Sequence, residues 1–353
     1  MRAILAAASG ALFALLLSLG AFFYALWVWR TWTDPGHPTD FIAYHTWAAM
    51  LRACPGAASL YDPTRVRAFL LTLRPASTEQ YPFAYPPSFL LLLWPLGAFG
   101  WRLGGLLWGL AGLASYLGAL AVAPGGGVRR GWILLAALAM PATALCLGQG
   151  QGGLLFAGLL AGGCALLPRR PIAAGVLFGL LACKPQYGLL VPVALLAGRE
   201  WRAIAAAIAT AFGMVLASML AFGESLWWLW PRALAGLARR VAPDAALERM
   251  MPTVTGTLRL VYVASPWVFA AQAVAGAVAA GGVALVWRRG AARDATAVLA
   301  SATFLATPYA FTYDLPALNV GLFAFALARV ARGERLSWAE CVVGGCWCCC
   351  RSR

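Results

Sequence analysis

The feature that most constrains this chain is its succession of long apolar runs, at 7–29, 101–122, 131–147, 151–167, 172–184, 186–198, 203–222, 261–286, 295–309 and 315–330. A helix needs roughly 20 apolar residues to cross a hydrocarbon core, with about 17 to 25 usual. Most runs meet that length or approach it. The two flanking Lys184 are short, as expected of tilted, broken or re-entrant helices whose backbone is covered by protein. Only 11% of the 353 residues are charged and 62% are apolar, whereas a soluble domain carries about a quarter charged residues. The sequence therefore predicts an all-α polytopic membrane protein of about ten transmembrane helices, forming one transmembrane domain over 1–335. The run from Ile4 to Trp29 is too long for a signal peptide and lacks a small-x-small cleavage site, so it is read as a retained first helix.

A net charge of +15 would suggest nucleic acid in a soluble protein. Here the basic residues come as short pairs between apolar runs, which is the pattern of topology signals, and no nucleic-acid partner is expected. With a cytoplasmic N-terminus, the inner connections and termini hold 15 basic and 4 acidic residues, and the outer set holds 12 and 8. That satisfies the positive-inside bias. The parity holds only if 86–100, broken by Pro95 and Gly97, lies in the outer interface instead of crossing. Two long segments, 30–100 and 223–260, then face outside, and Trp227, Trp228 and Trp230 occupy belt positions in the second. Of 27 basic residues only Lys184 is a lysine. The nine cysteines imply no exported disulfide, and their spacings supply no zinc site. Five of them lie in a Cys-rich tail, 336–353, that is too short to span.

Polar chemistry concentrates on the outer face. Asp40 opens a helix of the first outer loop, with Thr39 able to cap it and Phe41, Tyr44, Ala48 and Leu51 forming an apolar stripe, so this helix is expected to lie on the membrane surface. An Asp in a first turn also serves as a simple dipole partner. Tyr81 to Pro87, YPFAYPP, fixes an extended wall carrying Tyr81 and Tyr85. Lys184 sits in LLACKPQYG, where an ionisable group inside a membrane is a functional candidate by default. GQGQGG places Gln149 and Gln151 in an outer turn, and TPYAFTYDLP places Tyr309, Tyr313 and Asp314 in the last one. His45 is an interfacial polar residue or a sugar-hydroxyl ligand, and Asp62 in SLYDP reads as an Asp-Pro turn start. Convergence of these features on one face is what a site at the outer interface requires.

The ordered set TDFIAYHTWA, SLYDP, YPFAYPPSFLLLLWPL, LGQGQGGLL, AGVLFGLLACKPQYGLL and ATPYAFTYDLP resembles glycosyltransferase family 87, the polyprenyl-phosphate-sugar-dependent enzymes of GT-C architecture that include a mycobacterial phosphatidylinositol-mannoside mannosyltransferase. The resemblance runs from about residue 8 to about residue 330. It implies a multi-pass enzyme of the bacterial inner membrane with a periplasmic active site, moving a mannose-like hexose with inversion to a lipid or glycan acceptor. Asp40 matches the family's candidate general base. The YPFAYPP, GQGQ and CKPQ positions match recurrent motifs. Gln151 stands where many relatives have Asn, and Tyr313 and Asp314 stand where relatives often have His. The tail resembles a truncation or a frame slip, since relatives continue with further helices.

A lipid phosphate is already a good leaving group, so such an enzyme needs a base for the acceptor hydroxyl and cations for the departing phosphate. Asp40 fits the first role. Lys184 and outer arginines such as Arg232, Arg239, Arg240 or Arg259 are candidates for the second. No cofactor or metal is expected, the lipid-linked sugar being a substrate. A lipid or solute transporter or flippase is the competing class, and a membrane scaffold the third.

Overall fold

The computed structural model describes residues 2–34, 39–54, 56–75, 77–123, 127–241, 245–289 and 292–334. The Cys-rich tail lies outside the described residues, within which all regular structure is helical and no strand occurs. In chain order, α1 (Arg2–Thr33) leads into α2 (Phe41–Ala53), α3 (Pro63–Leu73) and α4 (Leu90–Leu93), the last flanked by 3₁₀ turns Pro87–Phe89 and Trp94–Ala98. Then come α5 (Trp101–Val122), α6 (Arg130–Leu138), α7 (Pro141–Gln149), α8 (Gly153–Leu166), α9 (Pro171–Leu180), α10 (Pro185–Gly188) and α11 (Val191–Ala197). The chain continues through α12 (Trp201–Phe222), α13 (Ser225–Val241), α14 (Ala245–Arg249), α15 (Val254–Leu260), α16 (Ser265–Arg288), α17 (Ala292–Ala306) and α18 (Pro316–Ala331).

All ten apolar runs contain helix, in unequal pieces. Ala14–Thr33 of α1, α5, α12 and α16 are each long and apolar enough to cross a membrane, and α6 with α7 makes a fifth such unit if its 54° bend counts as one span. Among the shorter helices, α7, α9, α10, α11 and α18 begin with proline in the first turn. Proline is tolerated there but cannot donate to a preceding turn, so each marks a break. The long helices carry exposed apolar faces, such as Phe22 and Phe23 on α1, Phe212 and Leu220 on α12, and Val274 and Val278 on α16. The short ones, α8 above all, are buried in the middle. Broken backbone thus sits where protein covers it, as a lipid environment demands.

Two expectations for the first loop are corrected. α2 does not lie on a surface: Phe41, Ile42, Ala43, Tyr44, Thr46, Trp47, Ala48 and Met50 are all buried. The chain after the proline wall folds back over it, so closely that a side chain on Gly97 would meet the Ala48 carbonyl oxygen at 2.4 Å. The segment 87–98 is a twelve-residue broken helix whose Phe89, Leu90 and Leu93 are fully buried while Trp94, Pro95 and Ala98 are exposed. Nor does Thr39 cap α2; its hydroxyl is buried without a hydrogen-bond partner among the described residues. Asp62, by contrast, caps α3 as the Asp-Pro reading implies, accepting from the backbone N–H of Thr64 at 2.9 Å.

The two segments expected to share a face do touch. Trp230 of α13 donates its indole N–H to the Ala84 carbonyl in the proline wall at 3.0 Å. At the start of α8, Gly153 sits under the Thr312–Asp314 turn, where an added Cβ would lie 2.0 Å from the Tyr313 carbonyl oxygen. Gly153→Ala is therefore expected to destabilise the protein by about 1–3 kcal/mol through overpacking against backbone. Gly118→Ala, where nothing lies within 4 Å of the new carbon, should not. Thermal unfolding in detergent distinguishes the two.

Candidate active site

The site begins with the turn between α7 and α8. α7 ends at Gly150, whose φ of +67° is left-handed and favours glycine. Side chains hold the turn: Trp32 donates to the Leu147 carbonyl at 2.9 Å, and the Cys146 thiol donates to the Gln151 carbonyl at 3.1 Å while accepting from Leu154 N–H at 3.3 Å. Thus fixed, the turn directs Gln151 toward α2. Its Nε2 donates to Asp40 Oδ2 at 3.2 Å, and its Oε1 accepts from the Tyr44 hydroxyl at 2.6 Å. An ionised carboxylate only accepts, so the amide has one orientation that satisfies both neighbours. Because the Tyr44 proton goes to Gln151, the Tyr85 hydroxyl, 3.2 Å away, donates to Tyr44.

Asp40 is half-buried at the head of this chain. Burial raises its pKa above the usual carboxylate value, the Gln151 hydrogen bond opposes that, and the nearby Glu79 charge adds to it. The proline wall stands beside it. Trp47 donates to the Tyr81 carbonyl at 3.0 Å, Tyr61 donates to the Tyr85 carbonyl at 2.8 Å, and the Tyr85 ring stacks on Phe89 at 4.4 Å.

Below this lies an ion pair. Lys184 and Asp314, each only 1% exposed, meet directly through Nζ and Oδ1. The Tyr187 hydroxyl donates to the same carboxylate at 3.0 Å, and Phe311 N–H donates to Oδ2 at 3.0 Å. Tyr187, Tyr313 and Phe156 present their rings to the ammonium at 5.3, 5.5 and 5.9 Å, a cation–π box. The Lys184 charge also acts on the Tyr85 phenol, which links the pair electrostatically to the Asp40 chain. The sequence offered Lys184 as a cation for a ligand; the fold engages it with Asp314.

Asp40, Gln151, Tyr81, Tyr85, Lys184, Tyr313 and Asp314 are thus assembled from five separate stretches of chain. Three expected residues stand apart. His45 is half-buried, with Nε2 3.2 Å from the Phe99 carbonyl, and so donates from that nitrogen; burial lowers its pKa, which leaves it neutral near pH 7. Gln149 is half-buried outside the network. Arg259 faces Glu248 at 4.0 Å. Tyr44 and Tyr187 are functional neighbours that sequence reasoning passed over. Their signals were present, Tyr44 four residues after Asp40 and Tyr187 three after Lys184, spacings that put side chains on one helical face.

A cavity of about 430 Å³ adjoins the network, between the end of α1, the first half of α5 and the α7–α8 turn. Gln151 forms part of its wall, and its other walls are mainly Val, Leu, Trp and Gly. The cavity thus reaches Asp40 through Gln151, which lines its wall and donates to the carboxylate.

The family model of glycosyltransferase family 87 matches residues 83–308. That range includes Tyr85, Gln149, Gln151, Lys184 and Arg259, and leaves Asp40, Tyr44, Tyr313 and Asp314 outside. No curated protein and no solved structure matches the chain.

Removing one partner of a buried ion pair strands the other charge, at about 3–5 kcal/mol. Lys184→Met is expected to lower the thermal midpoint more than the double substitution Lys184→Met, Asp314→Leu, because the double variant leaves no unpaired carboxylate among Tyr187, Tyr313 and Phe156. Unfolding of the two purified variants in the same detergent tests this ordering.

Proposed function

The chain belongs to glycosyltransferase family 87 and is a multi-pass membrane transferase; from that premise we propose that it moves a mannose-like hexose from a polyprenyl-phosphate sugar to a lipid or glycan acceptor, with inversion, on the periplasmic side of a bacterial inner membrane. The observation that carries this reading is Asp40, whose carboxylate is held through Oδ2 by Gln151 and has no hydrogen-bond partner at Oδ1 among the described residues. The free oxygen can accept the acceptor's O–H.

In the proposed step the acceptor oxygen attacks the anomeric carbon as its proton passes to Asp40. The bond from that carbon to the phosphate oxygen breaks, and polyprenyl phosphate leaves with the electron pair. One displacement inverts the configuration. The leaving group is already stabilised as a phosphate, so the protein supplies the base, the orientation and a dry pocket. Gln151 and Tyr44 hold the base in place, and the aromatic wall of Tyr81 and Tyr85 offers faces and hydroxyls for a sugar.

Reconstitution with labelled polyprenyl-phosphate sugar tests the proposal. Loss of a general base costs about 10²–10⁴ in rate, and Asp40→Asn is expected to lose transfer on that scale at matched protein amounts. Undiminished transfer would remove Asp40 from the role, and lipid scrambling without transfer would support a flippase. The pH dependence has a defined sign. The base acts deprotonated and its pKa is raised, so activity falls on the acid side at a pH above the usual carboxylate range. Gln151→Leu removes the hydrogen bond that lowers this pKa, and its acid limb is expected to move to higher pH.

A further inference from the structure

Two of the cations that the sequence offered for a phosphate are engaged elsewhere, Lys184 with Asp314 and Arg259 with Glu248. The cavity beside Asp40 supplies another. Among its lining residues Arg102 alone is charged, and no acid faces it there. Arg102 stands in the first turn of α5 and lines the cavity together with Thr33 at the end of α1, and the lining continues along α5 to Leu113. The eleven helical steps from Arg102 to Leu113 span about 16 Å. Toward that end the walls are apolar, with Leu110, Leu113 and Leu155, and the cavity is open at its side, where Leu106 and Leu110 are about half exposed on a face of α5 suited to lipid. A cation at the rim, a hydrocarbon wall behind it and a lateral opening describe a site for an amphiphile with an anionic head.

We infer that this cavity holds the first part of a polyprenyl phosphate chain, with the Arg102 guanidinium on the phosphate. This deepens the transfer reading and rests on it for the identity of the lipid. Three observations favour this occupant. The volume lies near the low end of ligand pockets, which run ~300–1000 Å³, and suits one chain better than the two of a phospholipid. Arginine matches phosphate oxygens in a two-pronged geometry. Gln151 lines the same cavity and donates to Asp40, so a lipid held there presents its phosphate-linked sugar next to the base. Lys184, buried below, is then a structural cation with no part in the phosphate contact.

The test uses the full chain in phosphatidylcholine nanodiscs. Retention of polyprenyl phosphate, and of the uncharged polyprenol, is measured by native mass spectrometry for wild type, Arg102→Ala, Arg102→Lys and Leu110→Trp. One charge-assisted contact is worth about tenfold in affinity. Arg102→Ala is expected to weaken polyprenyl phosphate about tenfold and leave polyprenol unchanged, with Arg102→Lys between. Leu110→Trp, which fills the cavity from its open side, should weaken both lipids. The donor KM should rise about tenfold in Arg102→Ala. Polyprenyl phosphate held equally by wild type, Arg102→Ala and Leu110→Trp would overturn the inference, as would equal displacement by two-chain phosphatidic acid, which would make the site a phospholipid site. Should binding follow these expectations while wild type transfers no sugar, the lipid site stands and the transfer reading fails. Should wild type transfer sugar with Arg102→Ala unaltered in KM, the transfer reading stands and this one fails.

Discussion

The buried pair of Lys184 and Asp314 is the contact around which this end of the protein is arranged. It joins two positions 130 residues apart, the break between α9 and α10 and the turn before α18. At each of these places the backbone is irregular, and irregular backbone at membrane depth has to be covered and hydrogen-bonded by protein. The carboxylate meets that demand on its own side by accepting from Phe311 N–H and the Tyr187 hydroxyl. The aromatic box does so for the ammonium. Gly153, pressed against the Tyr313 carbonyl, brings α8 to the same point, and the turn that carries Gln151 is fixed at the start of that helix.

From this floor the geometry passes upward through side chains whose hydrogen-bond directions are dictated. Tyr85 donates to Tyr44, Tyr44 to Gln151 and Gln151 to Asp40. Apart from Asp40 Oδ1 each acceptor in the chain is matched to a donor, the condition under which a buried polar network adds rigidity instead of cost. A carboxylate held this way is prepositioned, and alignment of reacting groups is a large part of what a glycosyltransferase must provide. The cavity behind Gln151 gives the same network an apolar neighbour. The site is accordingly half polar chain and half hydrocarbon pocket, the arrangement on which the proposed transfer from a lipid-linked sugar rests.

Much of this was legible in the sequence, because membrane chains must declare their helices as apolar runs and their breaks as proline. The ten runs contain helix, Asp62 caps the helix its Asp-Pro step announces, and Gln151, Tyr81, Tyr85, Lys184, Tyr313 and Asp314 come together near Asp40, whereas Gln149, His45 and Arg259 do not. The errors share one physical source. α2 has the stripe of a surface helix, yet is buried on most sides, because a stripe records which faces are apolar and not what later chain folds over them. Thr39 has the chemistry of a cap, but the helix start is held by the long-range bond from Gln151 to Asp40. The engagement of Lys184 was equally hidden, since nothing in local spacing joins residue 184 to residue 314. Arg102 escaped notice because its meaning comes only from the cavity that α1, α5 and the α7–α8 turn enclose.

The central claim is a single displacement in which Asp40 takes the acceptor's proton, and its most direct consequence is stereochemical. Determining the anomeric configuration of the transferred sugar by NMR, in donor and in product of the reconstituted wild-type protein, tests it. The account predicts that the configuration is inverted. A retained configuration would require two successive displacements and a nucleophile in the protein, and would contradict the role given to Asp40.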